Sequence, residues 1–117
     1  MICKFSLTIV LASSLLAPLA SNATVACARP VAYLSIDQIG QVSVGSSVAI
    51  NTICSTESQG TYSATVNACK IMYATLLSAK LTGKSVTLYY SNPALTSCGS
   101  IAQWSTQPSM YFVEIPR

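Results

Sequence analysis

The chain has 117 residues, 51% of them hydrophobic and only 8% charged, with six Lys and Arg against three acids and no histidine. Nucleic-acid binding needs a basic stripe able to neutralise several phosphates, and these cations are scattered, so that class is excluded. Ser-His-Asp and Cys-His nucleophiles have no base here, and three dispersed acids do not make a glycosidase pair, so the chain reads as non-catalytic, with no metal and no cofactor.

Lys4 precedes an apolar run from Phe5 to Leu19, broken by Pro18, and Ser21-Asn22-Ala23 follow. A basic start, a short apolar stretch and small residues at the end describe an export signal. Residues 1–23 are therefore read as a signal peptide cut near Ala23, with Ala20 and Ala26 as alternative sites, and residues 24–117 as one domain. The run is too short for an integral membrane segment. A lipoprotein modified at Cys27 is the other reading of the same stretch. Either way the chain is secreted or periplasmic. Its mature part keeps Cys27, Cys54, Cys69 and Cys98, an even number that in a small exported chain means two disulfides. Five remaining cations stand against three acids, a net charge of +2. So little charge on so apolar a chain implies that a partner covers part of its surface.

Val31 to Gln38 alternates with period two: Ala32, Leu34 and Ile36 on one face, Val31, Tyr33, Ser35 and Asp37 on the other. Gly40 permits a bend, Gln41 to Val44 resumes the pattern, and Gly45-Ser46-Ser47 is a turn. Val48 to Ile53 is rich in β-branched residues and reads as the returning strand. Residues 55–67 are polar and interrupted by Gly60. Ser63 or Thr65 caps a helix over about Val66 to Leu81, which Gly83 closes. Residues 85–91 form a strand ended by Asn92-Pro93, Ile101 to Trp104 a short one, and Met110 to Ile115 the last, bracketed by Pro108 and Pro116. Strands, one helix, then strands again predict a small, mostly β, α+β domain of barrel-like form.

The predicted helix has three kinds of side. Ala68, Met72, Leu76 and Ala79, widened by Ile71 and Thr75, form the row that lies on the sheet. Cys69, Tyr73, Leu77 and Lys80 form a second, still apolar row, and only Asn67, Lys70, Ala74, Ser78 and Leu81 make a small or polar stripe. The second row is covered either by flanking loops or by another copy of the chain.

LTGKSVTLYYSNP, residues 81–93, resembles the helix-to-strand segment of the subtilase cytotoxin B-subunit-like family, and Leu76 to Lys84 fit that family's LL-x-A-x-x-x-G-K pattern. The specific likeness covers residues 76–93, with looser agreement along most of the mature chain. The resemblance implies an oligonucleotide/oligosaccharide-binding (OB) barrel of five strands with one helix. It implies a homopentameric ring that binds sialylated host-cell glycans and carries an enzymatic A subunit. Asn67, Lys70, Ala74 and Ser78 would then face the pore, while Tyr73 and Leu77 meet neighbouring copies. Tyr90 matches the family's second strand tyrosine, a glycan contact. The family's sialic-acid-holding serine has no counterpart in Ala28-Arg29-Pro30-Val31, where Arg29 is the group able to pair with a carboxylate. Four cysteines allow three connectivities; the resemblance implies Cys54–Cys98, which leaves Cys27 with Cys69.

Trp104, Tyr89, Tyr111 and Tyr33 are candidates for a carbohydrate platform or for half-buried sheet positions; Tyr89 and Tyr90, being adjacent, face opposite sides. The reading is an exported binding module for glycans or a partner protein. A periplasmic or cell-surface structural protein of the same fold, without sugar binding, is the alternative.

Overall fold

A computed structural model describes residues 24–46 and 49–117; the expected signal peptide, residues 1–23, lies outside them. Among the described residues, seven strands form two sheets around one helix: β1 Val25–Pro30, β2 Tyr33–Ile36, β3 Gln41–Ser46, β4 Ala49–Ser55, α1 Val66–Thr82, β5 Ser85–Tyr90, β6 Ser105–Thr106 and β7 Met110–Glu114. One sheet has the order β1-β5-β7 and the other β2-β3-β4-β6. Every pairing is antiparallel except that of β4 with β6.

The sequence pattern accounts for most of these elements. Thr65 caps α1, its hydroxyl accepting from the Ala68 amide at 3.1 Å, and Gly83 at φ 69° closes it while the Lys84 amide reaches the Ala79 carbonyl at 2.9 Å. In β4 both Ile53 and Cys54 are fully buried although neighbours in a strand should alternate. The register supplies the reason: Ser43 pairs with Thr52 and Val42 with Cys54, so Ile53 is bulged and turns inward too. The same device at β7 pairs Tyr89 with Phe112 and Tyr90 with Met110, leaving Tyr111 and Phe112 both exposed. Val42, Ile53, Leu76, Val86 and Met110 form the most buried part of the core, each at most 1% exposed.

Four expectations are corrected. Gly40 does not bend a continuous strand; it closes a hairpin between β2 and β3 at φ 81°, with Asp37 Oδ1 accepting from the Ile39 and Gln41 amides at 3.0 and 2.9 Å. The first strand starts earlier, at Val25, and only Val31 and Ala32 separate β1 from β2, which lie in different sheets. Ile101 to Trp104 is not a strand but the exit of a short 3₁₀ turn, Cys98–Ser100. The disulfides join Cys27 to Cys98 and Cys54 to Cys69, each with Cα atoms 5.7 Å apart, instead of Cys54 to Cys98 and Cys27 to Cys69. The geometry decides this. The polar segment after β4 returns the first turn of α1 to the end of β4, whereas Cys98 sits beside β1, where its neighbourhood also accepts Arg29. With Cys27 bonded to Cys98, a lipidated Cys27 is set aside as well.

Candidate functional site

The residues nominated for one glycan site do not come together. Tyr90 points into the core and is 2% exposed. Burial pushes its phenol up to about 12, with Arg29 pulling weakly the other way. Arg29 is half-buried and donates from its guanidinium to the Cys98 carbonyl at 3.0 Å, so it clamps the 3₁₀ turn onto β1. Trp104, by contrast, is 67% exposed and belongs to the other sheet's edge, where its amide donates to the Ile50 carbonyl at 2.7 Å.

The outer face of the four-stranded sheet gathers what the sequence left separate. Val42, Val44, Asn51 and Cys54 point inward, so Ser43 and Gly45 on β3 and Ile50 and Thr52 on β4 point outward. The register then sets Tyr33, Gly45 and Ile50 in one row, and Ser35, Ser43, Thr52 and Thr106 in the next. Ser43 and Thr52 hydroxyls are hydrogen-bonded at 2.9 Å. Beyond them lies an open cleft of about 540 Å³, lined by Ile39, Gln41, Ser55, Ser58, Gly60, Thr61, Tyr62 and Thr106. None of these side chains is charged. Burial and the nearby Asp37 carboxylate, in that order, raise the Tyr62 phenol above its usual range.

Trp104 stands at the opposite end of this face. Its ring meets Tyr33 edge-on, centroids 5.7 Å apart. Its backbone is left-handed at φ 58°, the one non-glycine residue with positive φ among those described. A buried polar network holds that conformation. Asn51 donates to the Ala102 carbonyl at 2.8 Å and to the Ser105 hydroxyl at 2.9 Å; the Gln107 side-chain amide donates to the same hydroxyl at 3.0 Å and its backbone N–H to the Thr52 carbonyl at 2.8 Å.

Two other surfaces carry apolar groups. Tyr89, Tyr111 and Phe112 cluster on the outside of the three-stranded sheet, with the Tyr89 hydroxyl 3.3 Å from Glu114. On α1 the second row is not the open one: Cys69 is fully buried in its disulfide and Tyr73 packs against the core. Asn67, Lys70, Ala74 and Ser78 are exposed as expected, and Leu77 is 37% exposed. Ile71 corrects its assignment to the sheet side, being 68% exposed, and Leu81 is 77% exposed. The outward arc of the helix therefore carries Ile71, Ala74, Leu77 and Leu81 around one charge, Lys70.

Sequence reasoning missed the cleft, whose neutral hydroxyls look like ordinary turn residues, and the Asn51 network; the Asp37-x-x-Gly40 turn beside the cleft was its one available sign. Among the described residues no helix is long and apolar enough to cross a membrane, and no three His, Cys, Asp or Glu are placed to hold a metal. Comparison with protein-family models, with curated proteins and with solved structures gives no match for this chain.

Proposed function

We propose that the chain is an exported, non-catalytic binding module that recognises glycans on the outer face of its four-stranded sheet. The observation that carries this reading is the joining of an exposed indole with its half-buried tyrosine partner, a row of small hydroxyls and a neutral, hydroxyl-rich cleft on one surface. Sugars are bound by such sets, with rings on C–H faces and hydroxyls and amides on the polar rim. Two disulfides suit an oxidising compartment. The strand neighbours support an OB-type barrel: β1/β2 to β3, β4, β6/β7, β5 and back to β1, with β4 and β6 parallel. The apolar outward arc of α1 supports assembly with further copies of the chain, in a pentameric ring like that of the family it resembles, where an enzymatic A subunit is the corresponding partner.

Glycan-array binding of the mature protein together with light scattering tests the reading. Binding to a defined glycan class and a mass of several protomers are expected; no glycan bound would refute it. One observation favours the second reading, a structural or interaction protein of the periplasm or cell surface. The family's sugar-contacting tyrosine corresponds to Tyr90, which is buried here. A monomer that binds no sugar would establish that alternative.

A further inference from the structure

We propose that Trp104 is a preformed stacking platform, and that the strip from Trp104 to the cleft takes an uncharged, unbranched oligosaccharide. This rests on the glycan-binding reading and names its substrate class.

The backbone is the first argument. A bulky residue in the left-handed region costs about 1 to 3 kcal/mol and persists only where its surroundings over-determine it. The surroundings here do so: Trp104 N–H to Ile50, Asn51 to Ala102 and Ser105, and Gln107 to Ser105 and Thr52. Asn51 and Gln107 are 3% and 9% exposed, so buried amides are committed to fixing a loop whose central side chain is left in solvent. A glycine at position 104 would adopt φ 58° without that cost. Tyr33, perpendicular to the indole with centroids 5.7 Å apart, limits its rotation, and the 67% exposure of Trp104 leaves ring surface for a ligand.

The second argument is charge. The cleft lining has no ionisable group that would be charged at neutral pH, and the charge felt by Tyr62 is the carboxylate of Asp37. Arg29 is engaged with Cys98, and Lys80 with the Ala32 carbonyl, one residue before Tyr33; neither lines the cleft. A sialylated ligand would bring a carboxylate to a surface offering hydroxyls and one nearby acid. An uncharged sugar meets no such penalty. The third argument is length. From the row of Gly45 to that of Gln41 is four residues along β3, about 13 Å, which accommodates roughly two or three sugar rings.

Trp104 is the chain's one tryptophan, so intrinsic emission reports on this platform alone. The mature protein is titrated with maltotriose, cellotriose, a lactose-based neutral trisaccharide and 3′-sialyllactose, following calorimetry and tryptophan emission together. The expected result is saturable binding of a neutral trisaccharide with a shift in emission, and weaker binding of sialyllactose. Trp104→Gly, which keeps the backbone conformation, is expected to fold and to lose about tenfold or more in affinity. Trp104→Phe is expected to retain part of it. Thr52→Val, in the middle of the strip, is expected to weaken the trisaccharide more than a monosaccharide. If sugars bind while emission and the Trp104→Gly affinity stay unchanged, or if sialyllactose binds best, the inference is overturned while the glycan-binding reading stands. If no sugar binds in calorimetry or on the array, both fall.

Discussion

Removing the two disulfides separately, as Cys27→Ala/Cys98→Ala and Cys54→Ala/Cys69→Ala, perturbs chain entropy by amounts set by the closed loops. The half-cystines are 71 residues apart in the first bridge and 15 in the second. Loop-closure entropy gives about 4.4 kcal/mol for the long loop and about 3.0 kcal/mol for the short one. Packing losses run the other way but are smaller than this difference, since Cys54 and Cys69 are both fully buried while Cys98 is half-buried, a contrast worth no more than about 1 kcal/mol. A domain of this size has about 5 to 14 kcal/mol in total, so either loss is a large share of it. Urea unfolding followed by far-UV dichroism measures both quantities of interest. The long-loop pair should show the larger fall in free energy and the larger rise in m, because its unfolded state gains more exposed surface. A greater loss from the short-loop pair, or an unchanged m in both, would refute the entropic argument. The pairing itself is checked by digestion at Asp37, Glu57, Lys70 and Lys84, which places the four cysteines on four peptides. Bridges between the Cys27 and Cys98 peptides and between the Cys54 and Cys69 peptides are expected; a Cys54–Cys98 bridge would sink the pairing.

A Cβ at Gly45 would collide with the Ala49 carbonyl and the Ile50 Cα, so Gly45→Ala should cost about 3 kcal/mol in thermal or urea unfolding. Tyr90 is neutral in the fold up to about 12 and ionises near 10 when unfolded, so its contribution is complete below pH 10 and fades as pH rises to 12, by up to about 2 to 3 kcal/mol. Tyr90→Phe should flatten that alkaline decline in stability measured from pH 9 to 12. Asn51→Leu should remove both amide hydrogen bonds that tie the Ala102 carbonyl and the Ser105 hydroxyl to β4, and so shift Trp104 emission before any sugar is added. Ile71→Glu with Leu81→Glu should reduce the proposed assembly to monomers by light scattering, with thermal stability changed by no more than about 0.5 kcal/mol per site.

How much of this was legible in the sequence varies with how local the cause is. The helix was readable because its cap and its stop are single residues, Thr65 and Gly83, acting within one turn. β4, β5 and β7 were readable from β-branched and aromatic alternation, but not their bulges, which show only when a partner strand fixes the register. β1 escaped because Ala28, Arg29 and Pro30 give no strand signal; it pairs on one side only, with β5, and Pro30 is tolerated at such an edge. The left-handed Trp104 had no sign at all, since neither glycine nor asparagine marks the position. Tyr90 was read as a surface contact from its neighbours in the motif, while its facing is set by pairing with Val25 beside an inward Leu88.

The placement of Asn51 shows why the fold and the site are not separable here. It occupies an inward position on β4, between Ile50 and Ile53, where an apolar side chain would bury more hydrocarbon and leave no polar group to satisfy. Both of its amide donors are matched, and both matches go to the segment that carries Trp104. Gln107 repeats the choice from the other side of that segment. A core selected for stability alone would fill these positions with aliphatic groups and let residues 101–107 relax, and a relaxed loop would not keep an indole at positive φ. Two buried amides and one strained aromatic therefore make physical sense together, as parts that fix the direction in which one exposed ring faces the solvent.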